Sequence, residues 1–118
     1  MPFRPVDARL PLTPIAFEIL LALAEEDRHG YAILQAVEAR VKGRLPLRTG
    51  TLYRALARLV EDGLIEEIAG ARGGDGEDPR RRVYAISRRG RSVARAETER
   101  LADQVAAARS RKLLPGRS

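Results

Sequence analysis

Between Pro14 and Ala24 the chain carries a single charged side chain, Glu18. Apolar residues stand at Phe17, Leu20, Leu21 and Ala24, and again at Ile15, Ile19 and Leu23. Thr13-Pro14 is a helix start, with threonine as N-cap and proline at the first helical position, where its missing N–H costs nothing. A helix that is apolar almost all round must be covered on more than one side. A chain of 118 residues has a thin margin of core to do that. The expectation is therefore that Phe17, Leu20, Leu21 and Ala24 meet a second subunit.

The segments that follow set the order of elements. Residues 1–12, with three prolines and no helical or strand period, read as an irregular arm. Glu25-Glu26-Asp27-Arg28 reads as a polar turn. His29-Gly30-Tyr31 then opens a second helix, with Ile33, Leu34, Val37 and Val41 inward at helical spacing and Gly43 as its stop. A third helix spans about Gly50 to Asp62, with Leu52, Leu56, Leu59 and Val60 on one face and Gly63 closing it. Residues 64–69 and 82–87 are short β-prone runs around a twelve-residue loop with four glycines and one proline, a hairpin pattern. Ser87 caps a last helix from Arg88 to about Lys112, on the order of 35 Å long at 1.5 Å per residue. Its apolar stripe, Ala94, Leu101, Val105 and Ala108, is thin, and a helix this long cannot rest wholly on so small a domain. It too is expected to pack on another copy. Gly30 and Tyr31 read as core-building residues, and His29, the one histidine, as a turn or packing residue.

Composition narrows the function. Cysteine is absent, which removes disulfides and thiolate metal sites. One histidine and carboxylates scattered over polar faces leave no cluster of nucleophile, base and acid, so an enzyme is not expected, nor is a cofactor or metal. No apolar stretch approaches the ~18 residues of a membrane span and no signal-peptide pattern is visible, so a cytoplasmic protein is expected. Net charge is +6, and 20 of the 22 basic residues are arginine. Arginine's planar fork suits phosphate oxygens and guanine edges, although codon bias explains such an excess equally well. The distribution is more telling. Residues 1–63 carry 9 basic and 8 acidic groups, a net of +1, whereas residues 64–118 carry 13 and 8, a net of +5. A basic second half points to a directed surface.

Three helices followed by a two-stranded hairpin, with a short turn before the third helix, is the order of a winged helix-turn-helix. The fold class is thus mainly α with a small β-hairpin. It divides into an arm (1–12), a DNA-binding domain (13–87), a dimerisation helix (88–112) and a tail (113–118). Particular blocks sharpen this. Leu12-Thr13-Pro14, His29-Gly30-Tyr31, Gly50-Thr51-Leu52-Tyr53-Arg54-Ala55-Leu56 and Leu59-Val60-Glu61-Asp62-Gly63-Leu64-Ile65 occur in this sequence, followed by Arg81-Arg82-Val83-Tyr84 and Ser87-Arg88-Arg89-Gly90. Over residues 12–112 the chain resembles the PadR family of bacterial transcriptional regulators. The resemblance implies a winged-helix DNA-binding domain, a C-terminal dimerisation helix of the short, single-helix type, and repression of nearby genes.

Roles follow from the chemistry of each position. The third helix's N-terminus, at Thr49, Gly50 and Thr51, offers free N–H groups and a positive dipole end to a phosphate. Tyr53 and Arg54 lie one turn in and off the core face, within reach of DNA backbone or base edges. For Tyr53 the alternative is a packed aromatic that pins the helix. Arg58, a turn further, is placed on phosphate. In the wing, Arg72, Arg80, Arg81 and Arg82 suit phosphates or the minor groove. Asp75, Glu77 and Asp78 oppose such contact at the tip, which favours the flanking Arg80 and Arg81. Expected partners are double-stranded DNA and a second copy of the chain. A small-molecule effector, its identity left open, would have to sit between subunits. The competing reading is a winged-helix module that binds RNA or protein without operator specificity. RNA modules usually expose aromatics for base stacking, and most of the five aromatics here are at core-like positions.

Overall fold

The computed structural model describes residues 10–68, 78 and 80–115. Most of the expected arm, the loop residue Arg72 and the end of the tail lie outside the described residues. Helix α1 spans Pro14–Glu25 and begins as its sequence dictates, with the Thr13 hydroxyl accepting the Ala16 N–H and Pro14 in the first turn. Strand β1 is Arg28–His29, α2 is Gly30–Val41, and α3 is Thr49–Glu61. Strands β2 (Ile65–Glu67) and β3 (Val83–Ile86) form the hairpin, and α4 runs from Arg88 to Ser110.

The core is built on α1. Ile19, Leu20 and Leu23 are fully buried, and they pack with Ile33 and Val37 of α2, Leu52, Leu56 and Leu59 of α3, Leu64, Ile65, Tyr84 and Val93. The chain therefore covers its own apolar helix: α2, α3, β3 and α4 all contact α1. The core-facing side of the helix therefore needs no second subunit. Leu20 in particular faces this core and cannot meet a partner. Phe17 and Leu21 are half-buried and Ala24 is exposed.

The sheet is three-stranded in the order β1-β3-β2, all antiparallel. Arg28 pairs with Tyr84 and His29 with Val83, so the segment expected to be only a polar turn supplies an edge strand. Backbone hydrogen bonds alone make this pairing, which is why no side-chain pattern announces it. Tyr31, expected to pack, lies on the surface at 53% exposure. Its N–H instead donates to the Arg80 carbonyl at 3.2 Å, while the Gly30 N–H donates to the Arg82 carbonyl at 3.0 Å. The basic flank of the hairpin is thus stitched to the start of α2.

One joint organises the end of α3. Gly63 takes a φ of +77°, a left-handed conformation that glycine adopts without strain. The Leu64 N–H then returns to the Leu59 carbonyl at 2.9 Å. Ser87 meets this turn twice: its N–H donates to the Leu64 carbonyl at 3.0 Å and its hydroxyl to the Gly63 carbonyl at 2.7 Å. The same hydroxyl accepts the Gly90 N–H at 2.9 Å, capping α4. A Cβ on Gly90 would overlap the Leu64 carbonyl oxygen, so only glycine allows α4 to approach this closely.

Within α4 only Gly90, Val93 and Glu97 are buried. In the sequence Glu97 reads as one more charge on a polar helix. In the structure its carboxylate accepts the Leu12 N–H at 3.2 Å and two bonds from Arg100, at 2.6 and 2.9 Å. Those bonds, the Arg100 guanidinium first, hold the Glu97 carboxyl below its ordinary pKa despite burial. A depressed folded-state pKa stabilises the fold above the ordinary glutamate range, about pH 4.3. That contribution disappears as pH falls through the folded value. Glu97→Gln keeps an acceptor for Leu12 but loses the charge. It should cost about 1–2 kcal/mol at pH 7, and the gap from wild type should narrow as pH falls below the ordinary glutamate range in thermal melts followed by circular dichroism.

Candidate nucleic-acid interface

Helix α3 divides sharply into two faces. Leu52, Leu56 and Leu59 are buried, whereas Gly50, Arg54, Ala57, Arg58 and Glu61 are exposed. Its N-cap is Arg48, which supplies no side-chain cap bond. The first-turn N–H groups of Thr49, Gly50 and Thr51 therefore point outward uncapped, and the dipole adds partial positive charge there. Helical side chains lean toward the N-terminus, and Arg54 does so: its Nη1 lies 3.2 Å from where a Gly50 Cβ would stand. Guanidinium and helix end together form one positive pocket edge. Arg54 has no ion-pair partner among the described residues.

Arg58, one turn on, faces Asp62 at 3.7 Å and is partly neutralised. An open groove of about 540 Å³ separates α3 from the start of α1, with Leu12, Ala16, Ala55 and Leu59 along it and Arg54 and Arg58 on its edge.

Tyr53 departs from its expected role. The ring is half-buried against the core, and its hydroxyl is buried without a hydrogen-bond partner among the described residues. Burial raises its pKa. The packed-aromatic alternative describes this arrangement. The loop-borne arginines also separate into distinct states. Arg80 is held by Asp78, its Nη2 2.8 Å from Oδ2. Arg82 is half-buried and lies 3.2 Å from Glu67 across the hairpin. Arg81 is exposed and makes no side-chain hydrogen bond or ion pair among the described residues. Arg72 lies outside the described residues.

Among the proposed partner-facing residues of α4, Ala94 packs against this chain's own core, Leu101 and Ala108 are half-buried, and Val105 is 43% exposed. No group of three or more His, Asp or Glu that could hold a metal ion occurs among the described residues. None of their helices is long and apolar enough to cross a membrane.

Two helices joined by a turn, the second with one exposed polar face, and a hairpin wing beside it make a winged helix-turn-helix. Residues 19–96 match the transcriptional regulator PadR-like family, and the chain belongs to that family. Solved structures agree with this. A transcriptional regulator from Clostridium thermocellum is 26% identical, with a TM-score of 0.65 over 81% of this chain and 87% of that one. A PadR family transcription regulator from hypervirulent Clostridium difficile shares the fold at 22% identity and a TM-score of 0.67, covering 83% of this chain and 97% of that one. RosR from H. salinarum, 24% identical, superposes with a TM-score of 0.63 over 90% and 99% of the two chains. No curated protein sequence matches the chain significantly.

A buried hydroxyl without a partner costs about 1–3 kcal/mol. Tyr53→Phe should therefore leave the unfolding free energy unchanged or raise it by up to about 1 kcal/mol, measured by urea denaturation. A hydroxyl that instead served DNA would show itself as a tenfold loss of duplex affinity in the same variant.

Proposed function

We propose that this chain is a sequence-specific DNA-binding transcriptional regulator, a cytoplasmic repressor that sits as a homodimer on an inverted-repeat operator. The observation that carries this reading is the exposed, uncapped N-terminus of α3 with the Arg54 guanidinium, unpaired among the described residues, folded over Gly50. Uncapped N–H groups and a free guanidinium are the means by which a helix takes hold of phosphate and guanine edges. In a winged helix-turn-helix the second helix of the motif lies in the major groove with its N-terminal residues at the base edges. Thr49, Gly50 and Thr51 then seat on phosphate, Arg54 reads a base, and Arg58 and Arg81 contact the backbone.

The dimer has its own support. From Leu101 onward no residue of α4 is buried, and Val105 and Leu113 are 43% and 77% exposed. A second copy related by a twofold axis would cover Leu101, Val105 and Ala108, together with Phe17, Leu21 and Ala24 of α1. Leu20 drops out of that surface for the reason given above.

Two experiments bear on this. Arg54→Ala should weaken operator binding by about 1–3 kcal/mol and binding to random duplex far less, with both affinities measured at one fixed salt concentration. Equal losses would reduce Arg54 to a phosphate contact. Placing Asp at both Leu101 and Val105 should convert the dimer to monomer in sedimentation. A dimer that survives both substitutions would place the interface elsewhere.

A further inference from the structure

The wing sets an acid against one of its own arginines. Arg80 donates from Nε to both Asp78 carboxylate oxygens, at 3.1 and 3.2 Å, and from Nη2 to Oδ2 at 2.8 Å. Its backbone N–H adds a further bond to Oδ1 at 2.9 Å. A planar fork closed on two oxygens is also how a guanidinium grips a phosphate. Meanwhile the Asp78 carbonyl accepts the Arg81 N–H at 2.9 Å, and the Arg80 carbonyl accepts the Tyr31 N–H from α2. The Asp78 and Arg80 carbonyls are therefore each held by a backbone bond that does not involve the charges. Arg81 has no such carboxylate on its side chain among the described residues.

We propose that Asp78 acts as an internal phosphate surrogate, occupying Arg80 in the free protein so that DNA reaches this guanidinium only by displacing the carboxylate. The inference rests on the DNA-binding reading above. Both side chains of the pair reach solvent, at 63% and 31% exposure, so the exchange is not blocked sterically. The hydrogen bonds from Arg80 hold the Asp78 carboxyl down to about 2, which keeps the competitor charged throughout the range in which DNA is a duplex. Asp78 thereby lowers the wing's grip on any duplex, whatever its sequence, and leaves discrimination to α3. Arg81 feels the Asp78 charge but makes no hydrogen bond to it from its side chain, and so remains the wing cation that engages DNA without a bonded competitor.

Asp78→Asn separates the charge from the turn, because the amide oxygen still accepts the Arg80 N–H. The test is a double-mutant cycle of Asp78→Asn and Arg80→Ala, read as affinity for a random-sequence duplex across a salt series. With Arg80 present, Asp78→Asn should tighten binding about fivefold, the upper range for an exposed ion pair. The salt dependence should steepen by about 0.9 in log–log slope, as one more phosphate is neutralised. In the Arg80→Ala background the same substitution should change affinity less than about twofold. An equal increase in both backgrounds would make Asp78 a general repulsive charge and overturn the proposal. An unchanged affinity would do the same, as would a loss that marks Asp78 as a support for the turn. Wild-type protein that binds no duplex would sink the DNA-binding reading itself, a result distinct from a wild type that binds and an Asp78→Asn variant that does not differ.

Discussion

The close approach of Gly90 to the Leu64 carbonyl is the constraint from which the rest of the arrangement follows. At that point α3 has just ended, β2 begins, β3 has just finished and α4 starts. Four directions are fixed within a few residues: the end of α3, both roots of the wing, and the departure of the long helix. Ser87 supplies the bonds, two to the Gly63–Leu64 turn and one to its own helix. Glycine at position 90 supplies the space. A bulkier residue would push α4 off the turn and tilt it against the wing, because a carbonyl oxygen in a bonded turn cannot yield as a flexible side chain would. The Glu97 carboxylate then secures the same helix a second time, through the backbone of Leu12.

On this frame, positive charge is distributed by pairing and not by count. The face that carries α3 and the wing has many arginines, yet Arg58, Arg80 and Arg82 each form an ion pair with an acid, while Arg54 and Arg81 form none among the described residues. Exposed ion pairs contribute little to stability, so these pairs matter more for what they leave available than for what they hold together. The basic second half of the chain is real as a bulk property. Its working part, under the proposed reading, is narrower: the N-terminal end of α3 and one residue of the wing flank.

Much of the fold is legible in the residues themselves. Thr13-Pro14 and Ser87 mark helix starts that the structure reproduces, and Gly63 marks a stop, because caps and left-handed turns are local chemistry. The spacing of Leu52, Leu56 and Leu59 defines the buried face of α3 and so its exposed one. The departures share a different character. The apolar surface of α1 exceeds what one neighbour covers, yet four elements of the same chain contact it and bury Leu20, leaving Phe17 and Leu21 half-buried and Ala24 exposed. Tyr53 and Tyr31 occupy environments opposite to those their positions suggest, since an aromatic at the margin of a helical stripe can turn either way. β1 and the burial of Glu97 leave no signal at all, the first because its bonds are backbone only, the second because a charged residue on a charged helix looks solvated.

What the sequence determined by itself is therefore whatever depends on neighbours within about one turn: where helices begin and end, which stripe of each is apolar, which segments extend into a hairpin, and the order in which they come. That order already implied a winged helix-turn-helix. Tertiary structure alone decided which elements surround α1, which carboxylate each arginine meets, and that Glu97 is buried with its charge intact. The reason is physical. Capping and periodicity act over a few bonds along the chain, whereas burial and ion pairing depend on which distant surfaces the packed core brings within a few ångströms of each other.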